Sequence, residues 1–85
     1  MYSDKFKRLL DCIKDKIYNG QYCNGAYYMG NYINDYDMKA LCELRNYIDV
    51  YFTSSDNKVH FKFNDLQRKK FLEFYQKVQI KDDFD

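Results

Sequence analysis

The sequence has no proline and no tryptophan, only three glycines and one histidine among its 85 residues, and what it lacks removes several functions at once. No apolar run approaches the ~20 residues that a membrane-spanning helix needs. Three cysteines, Cys12, Cys23 and Cys42, are an odd number at wide spacings, so no disulfide framework is written into the chain and a reducing compartment fits it. An excess of one charge is missing as well. Against 14 Lys and Arg stand 13 Asp and Glu, a net +1, far from the basic balance of a dedicated nucleic-acid binder. The opening Met1-Tyr2-Ser3-Asp4-Lys5 mixes charges among apolar side chains, so no secretory hydrophobic segment is expected and the cytoplasm is the default setting.

What is present describes one small domain over residues 1–85, with 81–85 expected to be a frayed tail. The composition, 46% hydrophobic and 32% charged, is that of a globular chain. A chain of this length folds to a radius of gyration of roughly 12 Å and buries about 60–65% of its unfolded surface, which leaves little room for a deep active site.

Charge alternates along the chain: residues 1–18 and 58–80 are net basic, while 19–57 and 81–85 are net acidic. The first segment predicts a helix over about 4–18, with Ser3 as N-cap and Phe6, Leu9, Leu10, Ile13 and Ile17 on one face. Asn19-Gly20 ends it. The next stretch holds all three glycines, each followed two residues later by tyrosine. Asn24-Gly25 is the residue pair that a two-residue hairpin turn prefers, so a short hairpin is expected there, with a helical turn over 27–33 as the competing reading. Asn34-Asp35 opens a second helix that the pattern carries to about Phe52, with Met38, Leu41, Leu44, Ile48 and Phe52 on one face. Ala40, Tyr47, Val50 and Tyr51 form a second stripe on its flank and back, so the helix is expected to be buried on two sides or to pair with another chain. After the polar turn Thr53-Ser54-Ser55-Asp56-Asn57, Lys58 to Phe63 alternates as a half-buried strand. Asn64 with Gln67 caps a last helix that turns Phe71, Phe74, Tyr75 and Val78 inward. The expected fold is therefore α+β, three helices with a small antiparallel sheet, in the order α, short β pair, α, β, α.

Catalysis finds no coherent residue set. His60 stands on the outward face of its strand between two lysines, with no carboxylate evident in sequence to orient it. Cys12, Cys23, Cys42 and His60 make a Cys₃His set, yet none of the spacings matches a structural zinc site, so no metal and no cofactor is expected. Asp35, Asp37, Asp82 and Asp83 read as helix-cap and tail charges, not as a calcium loop. The glycines meet neither phosphate-loop spacing. An enzyme is not expected.

Binding is better supported. Ten tyrosines and seven phenylalanines make the chain 20% aromatic, and six of the tyrosines fall between residues 18 and 36. So small a core cannot hold them all, because each buried phenol needs a hydrogen-bond partner. A mixture of Tyr, Asn and Gly is also what binding loops use, since rigid rings give contact area at low entropic cost. The leading expectation is a non-enzymatic domain that docks on a larger protein through Tyr22, Tyr27, Tyr28, Tyr32 and Tyr36, with Arg45, Tyr47 and Tyr51. The alternative partner is nucleic acid, held by Lys58, Lys62, Arg68, Lys69 and Lys70, although the same lysines fit an ordinary solvated face. A homodimer burying the back stripe of the central helix is a third expectation.

In length and composition, rich in Lys, Asn, Tyr and Ile and without Pro or Trp, the chain resembles the small inhibitors that phages of AT-rich hosts encode, anti-CRISPR proteins among them. No motif carries this resemblance. It implies a stoichiometric binder that blocks a larger host protein in the host cytoplasm.

Overall fold

The structure, a computed structural model, describes residues 2–19, 24–30 and 33–84, the last five of them by backbone alone. The elements follow the order α1 (Asp4–Tyr18), β1 (Asn24–Tyr28), α2 (Asp35–Leu44), β2 (Asp49–Thr53), β3 (Lys58–Lys62) and α3 (Asp65–Phe84). The α+β class is as expected, but the order is α, β, α, β, β, α.

Local signals set the ends of three elements. The Phe6 N–H donates to Ser3 Oγ at 3.1 Å, so Ser3 caps α1, and Phe6, Leu9, Leu10, Ile13 and Ile17 are all buried. The Asp37 N–H donates to Asn34 Oδ1 at 2.8 Å and starts α2. At α3 the Asn64 N–H donates to Gln67 Oε1 and the Gln67 N–H returns to Asn64 Oδ1, at 2.9 and 2.8 Å. This reciprocal capping box satisfies two donors that a helix start leaves open.

Two expectations about the middle of the chain are overturned. Asn24-Gly25 is not a hairpin turn. It opens β1, which runs straight and pairs antiparallel with the distant β3, Asn24 opposite Lys62 and Tyr28 opposite Lys58. Gly25 is needed for close approach: a Cβ there would lie 2.7 Å from Cζ of the buried Phe61 ring. The second correction concerns α2, which ends at Leu44 and not near Phe52. The Leu44 carbonyl accepts from the N–H of Tyr47 and of Ile48, closing the helix, and the β-branched and aromatic run that follows becomes β2. What read as a second helical stripe is the period-two alternation of a strand, with Val50 buried between exposed Asp49 and Tyr51. The stripe offered for pairing of two copies is therefore not a helix back. Tyr47 packs on Phe74, ring centroids 4.7 Å apart, and Val50 faces the core.

β2 and β3 form the hairpin, through residues 54–57, with Asn57 in the left-handed region at φ 55°. The sheet order is β1-β3-β2, antiparallel throughout. Its inner rows, Gly25–Phe61–Val50 and Tyr27–Val59–Phe52, pack on the helices together with Phe6, Leu9, Leu10, Ile13, Phe71, Phe74 and Val78. α1 lies against β1 and α3, and α2 against β2. The result is two layers, helices over one face of a three-stranded sheet, with a radius of gyration of 12.2 Å. Among the described residues no helix is long and apolar enough to cross a membrane.

Phenols at the rim of the core are held by specific partners. Tyr2 stacks on Phe6 at 5.3 Å and donates to the Glu43 carboxylate at 3.0 Å. Burial first, then that carboxylate, pushes its pKa up to about 12. Tyr75 donates to Asp11 Oδ1 at 2.6 Å and accepts from Lys14 Nζ at 3.2 Å. The one buried charged side chain among the described residues, Asp37, accepts from Ser3 Oγ at 2.6 Å, which joins the starts of α1 and α2.

Candidate binding face

Because the helices occupy one side of the sheet, every second residue of each strand points to a side that no described element covers. Register fixes which ones: the outer rows are Asn24–Lys62–Asp49, Ala26–His60–Tyr51 and Tyr28–Lys58–Thr53. Tyr28 and Tyr51, on the two edge strands, are 53% and 56% exposed, values that only an uncovered face allows. Between them on the central strand, Lys58 and Lys62 are exposed on either side of His60.

Tyr51 and His60 are cross-strand neighbours whose rings stack, with centroids 5.0 Å apart and planes 12° from parallel. The His60 ring is held from the turn as well. Its Nε2 lies 3.1 Å from Asp56 Oδ2 and 3.2 Å from Thr53 Oγ1, and the Thr53 hydroxyl donates to Asp56 Oδ1. The Lys58 N–H donates to the same Asp56 oxygen at 3.1 Å. The Thr53 hydroxyl, then the Lys58 amide and His60, hold the Asp56 carboxyl below the usual aspartate range. The histidine thus has a carboxylate partner that the sequence reading did not find. The only sign of it was an acid four residues away across a polar turn. A Thr, His and Asp close together invite comparison with a catalytic triad, but both partners meet Nε2. A triad needs the acid on Nδ1 and the nucleophile on Nε2. This cluster fixes a ring and does not have the arrangement of a triad.

At the Lys62 end the face dips into a depression of about 510 Å³. It forms where β1 contributes the small Ala26 with Asn24 and the backbone of Gly25, and it runs beside Tyr51 and His60, with Lys62 and Asp49 also on its lining. Asp49 accepts a long contact from Gln67 Nε2, 3.5 Å, which places the first turn of α3 at this end of the sheet.

The residues expected to bind a protein are not gathered in one place. Tyr28 and Tyr51 share the open face, and Tyr36 is exposed in the first turn of α2. Tyr27 is on the inner face opposite Val59, Tyr47 packs on Phe74, and Arg45 donates through Nε to the Val50 carbonyl at 3.1 Å. Tyr22 and Tyr32 lie outside the described residues. The basic set divides as well. Lys58 and Lys62 are on the open face, whereas Arg68, 3.8 Å from Asp65, and the exposed Lys69 and Lys70 belong to α3. Tyr18, 72% exposed, ends α1 and was not among the expected contacts.

Cys42 is exposed and Cys12 half-buried, with burial pushing the Cys12 thiol up. Among the described residues no three His, Cys, Asp or Glu side chains come together as a metal site would require. Comparison with known proteins finds no matching family model, no matching curated protein and no matching solved structure.

Proposed function

We propose that this chain is a non-enzymatic binding domain whose working surface is the uncovered face of its sheet. One observation carries the reading: two of the eight residues expected to bind a protein and two of the five expected to bind nucleic acid, separate in sequence, meet on one face that no described element covers. Tyr28, Tyr51 and His60 supply rings there, and Lys58 and Lys62 supply charge. Tyrosine is common at interface hot spots, so the rings support docking on a larger protein, of which a phage-type inhibitor blocking a host protein is one form. The two lysines beside the rings support nucleic acid.

The test removes the rings without touching the core. Tyr28→Ala combined with Tyr51→Ala should leave the far-ultraviolet spectrum and the unfolding midpoint close to wild type and abolish capture of partners from a cell lysate, with bound protein and bound nucleic acid both assayed. Retention of every captured partner by a folded double variant refutes the reading.

A further inference from the structure

On the reading that the open sheet face is the working surface, we infer that its ligand is single-stranded nucleic acid, with one base stacked beside Tyr51 and His60 in the depression at the Lys62 end and a second ring site at Tyr28.

A base can stack only on a flat surface with room beside it. The Tyr51 and His60 rings are already stacked with their planes nearly parallel, and Asp56 and Thr53 hold the His60 ring, so a base can add to an existing stack and little order has to be imposed when the ligand arrives. Room exists because the third residue of that row is Ala26, whose side chain is a single methyl group. A volume of about 510 Å³ falls within the range of sites that hold small organic groups.

Charge complementarity points the same way. Lys62 and Lys58 stand on the face in the rows before and after His60, and neither is in an ion pair among the described residues. Four residues of strand at about 3.3 Å each set their Cα atoms roughly 13 Å apart, so they meet different phosphates of one strand. Each ring site then has its own cation: Tyr51 and His60 with Lys62, Tyr28 with the adjacent Lys58. Repeated pairing of a ring with a cation is what a polymer of bases and phosphates requires. The bases must be unstacked to use it, which selects a single strand over a duplex.

The composition of the face argues against a protein partner. Protein interface cores are depleted in Lys, Asp and Ala, and these are four of the nine outer-row residues here: Lys58, Lys62, Asp49 and Ala26. The only aliphatic side chain in the outer rows is that of Ala26. Two acids limit affinity without blocking the track. Asp49 is turned to Gln67, and the Asp56 carboxylate is engaged by Thr53, His60 and the Lys58 amide.

The experiment is fluorescence anisotropy with labelled twelve-nucleotide oligo-dT and oligo-U and a duplex of equal length, in salt from 20 to 200 mM. Both single strands should bind and the duplex should bind at least tenfold more weakly. Neutralising two phosphates gives a slope of log affinity against log salt of about −1.4. Tyr51→Ala should weaken binding by about 5- to 150-fold, the loss of one stacked base, while Tyr51→Phe, which keeps the ring, should retain it. Lys62→Ala should weaken binding and bring the slope about 0.7 closer to zero. The charge-matched control Lys77→Ala, on the helical side, should change neither. No binding at 20 mM salt, equal loss in the control, or full affinity in folded Tyr51→Ala overturns the inference. If no oligonucleotide binds but the Tyr28/Tyr51 double variant still loses a captured protein, the ligand assignment is wrong and the open face remains the working surface. If neither changes, both fail.

Discussion

Gly25→Ala gives the sharpest test of the sheet, because it adds one methyl group where the strands are most tightly fitted. The new Cβ would lie 2.7 Å from Phe61 Cζ and 3.1 Å from Cε2. Carbon atoms settle at about 3.5–4.0 Å, so the ring has to move by roughly 1 Å. It has little room to do so. Phe61 is 2% exposed and lies parallel to the Phe63 ring, centroids 6.4 Å apart, with both rings in the core. Forcing an extra methyl into such packing costs about 1–3 kcal/mol. Backbone strain adds nothing, since Gly30 is the positive-φ glycine among the described residues and Gly25 is not. Against the clash, alanine restricts the unfolded chain and returns about 0.4–1 kcal/mol. The net expectation is destabilisation by roughly 1–2 kcal/mol, which in a domain of this size lowers the melting temperature by about 4–16 °C. Thermal and urea unfolding of the purified chain measure it. A second variant separates causes: if the clash with the ring is the reason, Gly25→Ala and Phe61→Leu combined should cost at least about 1 kcal/mol less than the sum of the single changes. A Gly25→Ala protein as stable as wild type, or strict additivity in the double variant, would refute the close approach.

Two further outcomes follow from polar contacts at the rim of the core. Ser3→Ala removes both the cap on Phe6 N–H and the hydroxyl that donates to the buried Asp37 carboxylate, so it should cost about 2–4 kcal/mol, well beyond the ~1 kcal/mol of Asn64→Ala at the exposed cap of α3. Equal losses in urea titrations of the two variants would contradict the coupling of α1 to α2 through Asp37. The second concerns Tyr2, whose folded pKa of about 12 exceeds the unfolded value near 10. The folded state therefore holds this proton more tightly, and the stabilisation is complete below pH 10 and lost as pH rises toward 12. Stability measured across that range should fall more steeply in wild type than in Tyr2→Phe, and parallel curves would show that neither the burial of the Tyr2 hydroxyl nor its Glu43 contact holds in solution.

Helices α1 and α3 and strand β3 are legible in the sequence because their determinants are local. The caps at Ser3 and Asn64 and the spacing of the apolar residues are complete within each segment. The middle of the chain is not legible in that way. Asn24-Gly25 sends a strong local turn signal, but β1 is decided by pairing with residues 30 to 38 positions later, where Phe61 needs a neighbour without a side chain. Likewise, Ile48 to Thr53 continues the helical spacing of α2 by coincidence. A five-residue strand contains too few alternations to outweigh a fifteen-residue helical pattern, and only the hairpin with β3 decides it. The candidate site shows the same division. Lys58, His60 and Lys62 could be placed on one outward face from alternation alone, whereas Tyr28 and Tyr51 join them only through register.

That dependence ties the function to the packing. Side chains of a strand alternate between faces, so a slip of β1 by one residue against β3 would turn Tyr28 inward and Tyr27 outward. It would also bring Asn24 or Ala26, each with a Cβ, against the Phe61 ring, which only a glycine meets without displacing it. Gly25 therefore does more than permit close packing. It favours the register in which Tyr28 stands beside Lys58 and Ala26 leaves space beside the stacked His60 and Tyr51 rings. The composition of the open face is thus set from the buried one, by a residue that carries no functional group of its own.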